Sequence, residues 1–190
     1  MLTQFLSGDR SLPQHFAFSR SRNSTFRSQS NHGRVHVAAV CYRVRGGEPE
    51  FLLVRTRNGH WTFPKGAVNA DETNAAAAAR EAHEEAGVRG SIERAPFSSY
   101  RHCKPKRLKS RREVVLVHAH LCAVKRLLAP SEEYRNPTWF SASKAKRRLQ
   151  KYRDSEFAAE VVGVIDRAAE RIHSDRTKAR HRLMPALIGS

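Results

Sequence analysis

Glu72, Arg80, Glu81, Glu84 and Glu85 lie between two glycines, Gly66 and Gly87, in the stretch GAVNADETNAAAAAREAHEEAGV. Read as a pattern this is G-x5-E-x7-R-E-A-x-E-E-x-G-V. On a helix, Glu81, Glu84 and Glu85 stand at i, i+3 and i+4 and so share one face. Carboxylates crowded in this way repel and raise one another's pKa values. A bound cation removes the repulsion. Mg²⁺ takes oxygen ligands and typically binds one or two carboxylates together with substrate phosphates. Bound metals polarise a phosphoryl oxygen, activate water and neutralise a leaving group. Arg80 precedes Glu84 by four residues and can brace that carboxylate. The spacing therefore suits a magnesium site for cleaving a diphosphate. The competing reading is an ordinary solvated helix end, and seven residue types at fixed intervals weigh against it.

These side chains need a helix beneath them. The run Ala75 to Ala79, followed by Arg80, Glu81 and Ala82, favours one over residues 71–86. Asp71 or Asn69 is a candidate N-cap, Asp71 and Glu72 suit the positive helix end, and Gly87 suits a left-handed stop. Upstream, residues 34–44 and 50–57 read as strands separated by a turn at residues 45–49, and HWTFPKG leads into the helix. Downstream, residues 91–100, 113–124 and 138–140 read as strands. SASKAKRRLQKY then reads as a helix, and Phe157, Val161, Val164, Ile165, Ala168 and Ile172 recur at helical spacing in a last one. The layout is mixed α+β, with helices on both sides of a sheet and no internal repeat.

The chain has 190 residues, 39% hydrophobic residues, a mean hydropathy of −0.62 and a net charge of +17. That length supports one ordinary domain. Residues 1–33 are rich in Ser, Arg, Asn and Gln and read as a disordered basic arm, the domain spans residues 34–173, and residues 174–190 read as a basic tail. An Arg- and Ser-rich start also fits an organellar transit segment or an over-long start. No run approaches the ~20 apolar residues of a membrane helix, and no secretory segment is evident. Cys41, Cys103 and Cys122 are odd in number and widely spaced, as in a protein with reduced thiols rather than a disulfide frame or zinc site. A cytoplasmic location follows as the expectation.

The glycine-to-valine pattern is the Nudix box, and the chain resembles the Nudix hydrolases over roughly residues 34–173. The resemblance implies an α/β/α sandwich with a mixed β-sheet and a catalytic loop-helix-loop. It implies Mg²⁺, with Mn²⁺ as the alternative. Glu81 and Glu85 would bind the metal, helped by the Lys65 carbonyl just before Gly66. Glu84 would be the general base, and Glu72 and Arg80 would orient the helix. The segment from Trp61 to Gly66 looks like the lead-in of dinucleoside polyphosphate hydrolases. Trp139 and Phe140, followed by AKRRLQKYRDSEFAAEV, look like diphosphoinositol polyphosphate phosphohydrolases, although those usually carry glycine where Lys65 stands. Beyond the box, Glu93 and Glu113 are candidates for a further metal ligand.

The charge is clustered. Residues 101–112 hold seven Lys or Arg and no acid, and residues 144–153 hold six and no acid. The bland reading is two solvated faces. The sharper one is an anion-binding rim. By resemblance, its polyphosphate contacts fall on Arg34, His36, Arg55, Arg57, Arg112 and Arg153, with His60 at the mouth. Guanidinium groups grip phosphate through paired hydrogen bonds, and the rim would make association salt-sensitive. The expected partner is thus a small-molecule polyphosphate. The same charge permits weak RNA contact, so an RNA-end-processing or RNA-binding Nudix protein is the second class. An 8-oxo-dGTP sanitising hydrolase is a further alternative, and a binding module without catalysis is disfavoured by the intact glutamates. Trp61 is either a core residue or a stacking surface for adenine. His118 and His120 read as packing or surface histidines.

Overall fold

The computed structural model describes residues 35–104 and 113–183. The arm expected over residues 1–33, Arg34, residues 105–112 with Arg112, and residues 184–190 lie outside them. Among the described residues eight strands and three α-helices follow in chain order: β1 (His36–Arg45), β2 (Glu48–Arg55), β3 (Trp61–Thr62), β4 (Lys65–Ala67), α1 (Asn74–Ala86), β5 (Val88–Ile92), β6 (Ser98–Lys104), β7 (Glu113–Leu127), β8 (Thr138–Ser141), α2 (Ala142–Gln150) and α3 (Ser155–Leu183). A 3₁₀ turn, Glu133–Arg135, sits between β7 and β8.

The sheet is mixed. β1 runs parallel to β7 and antiparallel to β2 and β4, while β5 and β6 pair antiparallel with β7, and β8 with β2. Its central strands are apolar on both faces, as strands covered twice must be. Along β1, Val37, Ala39 and Cys41 face α1, and Ala38 and Val40 face the opposite core. β2 alternates likewise, with Leu52 and Val54 toward α1 and Phe51 and Leu53 away. The far core is closed by Ala145 and Leu149 of α2 and by Val161, Val164, Ile165, Ala168 and Ile172 of α3. Burying each of the large aliphatic side chains stabilises the fold by about 1.5–3 kcal/mol. The result is the expected α/β/α sandwich.

Some boundaries differ from the reading by pattern. The segment expected as one strand over residues 91–100 is two strands, β5 and β6, interrupted around Pro96, which cannot donate to a ladder. The first hairpin turns on Gly46 and Gly47, both at positive φ, so Glu48 and Pro49 already belong to β2. α3 continues to Leu183, past the domain limit expected at residue 173. Cys41 and Cys122 are buried and Cys103 is partly so; all three are free thiols. Among the described residues no helix is long and apolar enough to cross a membrane.

Candidate active site

The site is built where β4 hands the chain to α1. β4 is held by β1, with His36, Val37 and Ala38 opposite Ala67, Gly66 and Lys65. The helix then starts later than the pattern suggested. Its N-cap is Thr73, whose side-chain oxygen accepts the Ala76 N–H at 3.1 Å, and not Asp71 or Asn69. Asp71 instead takes a left-handed φ of 62° in the loop. Gly87 ends the helix at φ 66°, as expected, and donates its N–H to the His83 carbonyl.

Arg80 is the hub. Its Nε and Nη2 grip the two Glu72 oxygens at 3.0 and 3.1 Å, Nη1 donates to Glu81 at 2.7 Å and to Glu84 at 3.2 Å, and Nη2 also reaches the Ala67 carbonyl at 3.1 Å. The loop before the helix is thereby tied to its middle. The Arg80 hydrogen bond holds the Glu72 carboxyl below the usual range, and Glu72 in turn raises Arg80.

Glu81 and Glu85 point inward and are buried, whereas Glu84 is exposed. The three lie toward the helix C-terminus, whose partial negative charge opposes carboxylates and favours a cation. Glu85 Oε2 accepts the Lys65 N–H at 3.1 Å, and Oε1 is paired with Arg135. Burial pushes the Glu85 carboxyl up to about 7, a rise limited chiefly by the Arg135 charge and the Lys65 N–H. Gly66 is required by contact: a Cβ there would lie 1.9 Å from Glu81 Oε1 and 2.2 Å from its Cδ. This cradle, lined by two buried carboxylates and the β4 backbone, offers the hard oxygen donors that Mg²⁺ takes. The residues present therefore fit such an ion. Among the described residues no three His, Cys, Asp or Glu side chains already converge as a cation site. Arginines hold the carboxylates instead.

The structure thus brings Lys65, Gly66, Glu72, Arg80, Glu81, Glu84 and Glu85 together. Glu93 stands elsewhere, paired with Arg171 of α3 at 3.2 Å. The proposed substrate contacts scatter more. Arg55 lies over the Trp61 ring at 4.6 Å, and Arg57 over Tyr134 at 5.4 Å. Arg153 turns inward, donating to the carbonyls of Trp61 and Leu149. His60 stacks on Tyr152 with ring centroids 4.7 Å apart. The two share a hollow of about 260 Å³ with Thr56, Thr62, Lys151 and Arg153, so His60 and Arg153 are brought together. Trp61 is a core residue, 8% exposed and edge-on to Phe140. His120 is fully buried, bonded through Nδ1 to the Glu93 carbonyl, and His118 meets Ser99. Pattern reasoning missed Arg135 and Tyr152, because neither belongs to a spaced motif.

Comparison with known proteins identifies the family and the fold. The NUDIX domain profile matches residues 34–161. The fold resembles an Ap4A hydrolase of C. elegans (TM-score 0.55, 23% identity, 74% of this chain and 98% of that one). It also resembles the E. coli dihydroneopterin triphosphate pyrophosphohydrolase (TM-score 0.55, 15% identity, 72% and 95%). A third likeness is to the NUDIX domain of Shewanella oneidensis NrtR complexed with ADP ribose (TM-score 0.51, 18% identity, 73% and 88%). At these identities the likenesses establish the fold. With the box assembled in three dimensions and the profile spanning most of the chain, the protein belongs to the Nudix family of hydrolases that act on pyrophosphate bonds.

Proposed function

We propose that the protein is a Mg²⁺-dependent pyrophosphohydrolase of a polyanionic substrate, a dinucleoside polyphosphate in the first place and a diphosphoinositol polyphosphate in the second. The observation that carries the choice is the hollow lined by His60 and Tyr152. It sets the stacked His60–Tyr152 rings beside Lys151 and Arg153, so it offers an aromatic surface and positive charge for phosphates. Thr62 on its wall is three residues from Lys65. A diadenosine substrate carries both groups, as the name of the C. elegans neighbour indicates for that protein.

Glu81 and Glu85, with the Lys65 carbonyl, would hold the ion. When bound, Mg²⁺ supplies a Lewis acid at the phosphoryl oxygens and neutralises the leaving group. Glu84, exposed and braced by Arg80, would take the proton of the attacking water. The water oxygen forms a bond to phosphorus as the anhydride P–O bond breaks, and the freed oxygen departs on the second phosphorylated product. Glu72 and Arg80 keep the loop and helix in register throughout.

A second reading, RNA-end processing, draws on another surface. Lys144, Arg147 and Arg148 on the outer side of α2 flank a hollow with Trp139 and Phe140, a pairing of cations and aromatics that suits single-stranded nucleic acid. A panel under Mg²⁺ separates the readings: diadenosine tetra- and hexaphosphate, a diphosphoinositol polyphosphate, 8-oxo-dGTP and capped RNA, at two salt concentrations. Fastest turnover of the longer diadenosine substrates, slowed by salt, supports the proposal. Preference for 8-oxo-dGTP or capped RNA overturns the substrate assignment.

A further inference from the structure

The loop from β7 to β8 does more than connect strands. Its start is pinned to the end of α1: the Leu128 N–H donates to the Gly87 carbonyl at 2.8 Å, and the Ser131 N–H to the Glu84 carbonyl at 2.9 Å. Asn136, at φ 44°, turns its far end into β8. Between these anchors the 3₁₀ turn aims Arg135 back at the box. The side chain is 15% exposed and spans three elements. One guanidinium nitrogen pairs with Glu85 Oε1, Nε bonds Glu132 Oε2 at 2.5 Å, and Nη1 faces the Arg55 carbonyl at 3.5 Å. Tyr134 packs against the guanidinium at 5.1 Å and fixes Glu132 through its hydroxyl at 2.6 Å. Since the Lys65 N–H holds Oε2, both oxygens of Glu85 are engaged.

We propose that Arg135 is a positioning residue that occupies Glu85 in the metal-free protein and competes with the divalent cation for that carboxylate. The inference rests on the reading of Glu85 as a metal ligand. A buried carboxylate needs a compensating charge, and removing its partner leaves the charge uncompensated. Arg135 meets that need when the metal is away, so the helix end keeps its shape. A cation entering beside Glu85 meets a fixed positive charge, which repels it strongly in a buried setting. Arg135 thereby sets how much free metal the enzyme requires, and the tether to Glu132 gives the displaced guanidinium a place to stay.

The test is direct Mn²⁺ titration of the full chain by electron paramagnetic resonance, with thermal melts with and without Mn²⁺. Arg135→Gln should bind Mn²⁺ at least tenfold tighter than the parent. It should melt lower than the parent without metal and recover most of that loss with it. Arg135→Lys keeps a charge but cannot bridge Glu85 and Glu132 together, so its Mn²⁺ affinity should fall between. Unchanged or weaker Mn²⁺ binding by Arg135→Gln overturns the proposal, as does an equal melting loss with and without Mn²⁺. If Arg135→Gln does not fold, Arg135→Lys decides: tighter binding supports the proposal, and equal or weaker binding overturns it. Glu85→Gln separates the two layers. If it binds Mn²⁺ as the parent does, the metal-site reading fails and the proposal with it. If it loses Mn²⁺ while Arg135→Gln is unaltered, only the role of Arg135 falls.

Discussion

Replacing Gly66 with alanine should leave the fold standing and remove the chemistry. The added Cβ would stand 1.9 Å from Glu81 Oε1, 2.2 Å from Cδ and 2.7 Å from Oε2. Ordinary contact begins at 3.4 Å, so the carboxylate would have to retreat by about 1.5 Å. The colliding group is the end of a flexible side chain, and Glu81 can swing away without moving α1. A metal ligand, however, works within about 0.2 Å of its bond length, so a displaced Glu81 is lost as a ligand. Misplacement of about 1 Å in a reacting assembly can cost about 10²-fold in rate. Gly66→Ala should therefore lose at least about 10²-fold in kcat/KM and bind Mn²⁺ more weakly. Its melting temperature should stay within about 4 °C of the parent, a change of about 1–2 kcal/mol for a domain of this size. Hydrolysis assays, Mn²⁺ titration and a thermal melt on one preparation check all three. A variant that melts normally and hydrolyses at the parental rate would refute the placement of Glu81 at the metal.

Other perturbations separate stability from catalysis. Gly87→Ala forces a left-handed alanine, worth about 1–2 kcal/mol, and drives its Cβ to 2.0 Å from the Leu128 carbonyl oxygen, which is backbone and cannot swing aside. A melting loss of more than about 5 °C is expected, by calorimetry. Thr73→Ala removes the cap of α1 and should cost about 1 kcal/mol by chemical denaturation while activity per folded molecule is kept. Arg101 holds the Glu160 carboxyl below its usual range. A carboxyl lowered on folding stabilises above its unfolded pKa, and that contribution is lost as pH falls through the folded value. Melts below pH about 4.5 should thus show a steeper acid limb for the parent than for Arg101→Gln, a difference that shrinks in high salt.

The box was legible because its logic is local. Glu81, Glu84 and Glu85 share a face by helical spacing alone, and Gly87 stops the helix by its own conformation. The buried alternation of β1, β2 and β7 was equally plain from runs of apolar residues. What escaped depends on distant partners. Thr73 caps α1 because Glu72 is held by Arg80 while Asp71 takes the turn, an arrangement fixed eight residues away. β3 and β4 are too short to show periodicity, and exist through their pairing with β2 and β1. Arg153 lines the hollow with His60, but its anchoring by the carbonyls of Leu149 and Trp61 depends on a contact across 92 residues that no pattern shows. Arg135 lies fifty residues from Glu85, and no spacing rule joins them.

The central claim is that Glu84, set beside Glu81 and Glu85, drives hydrolysis of a polyphosphate linkage. The most direct measurement is Mg²⁺-dependent turnover of diadenosine hexaphosphate by the parent and by Glu84→Gln, with substrate binding measured for both. A positioned general base contributes about 10²–10⁴-fold. Turnover should fall by that factor in Glu84→Gln while binding is preserved. Equal turnover in the two proteins, or none in either at saturating Mg²⁺, would contradict the account.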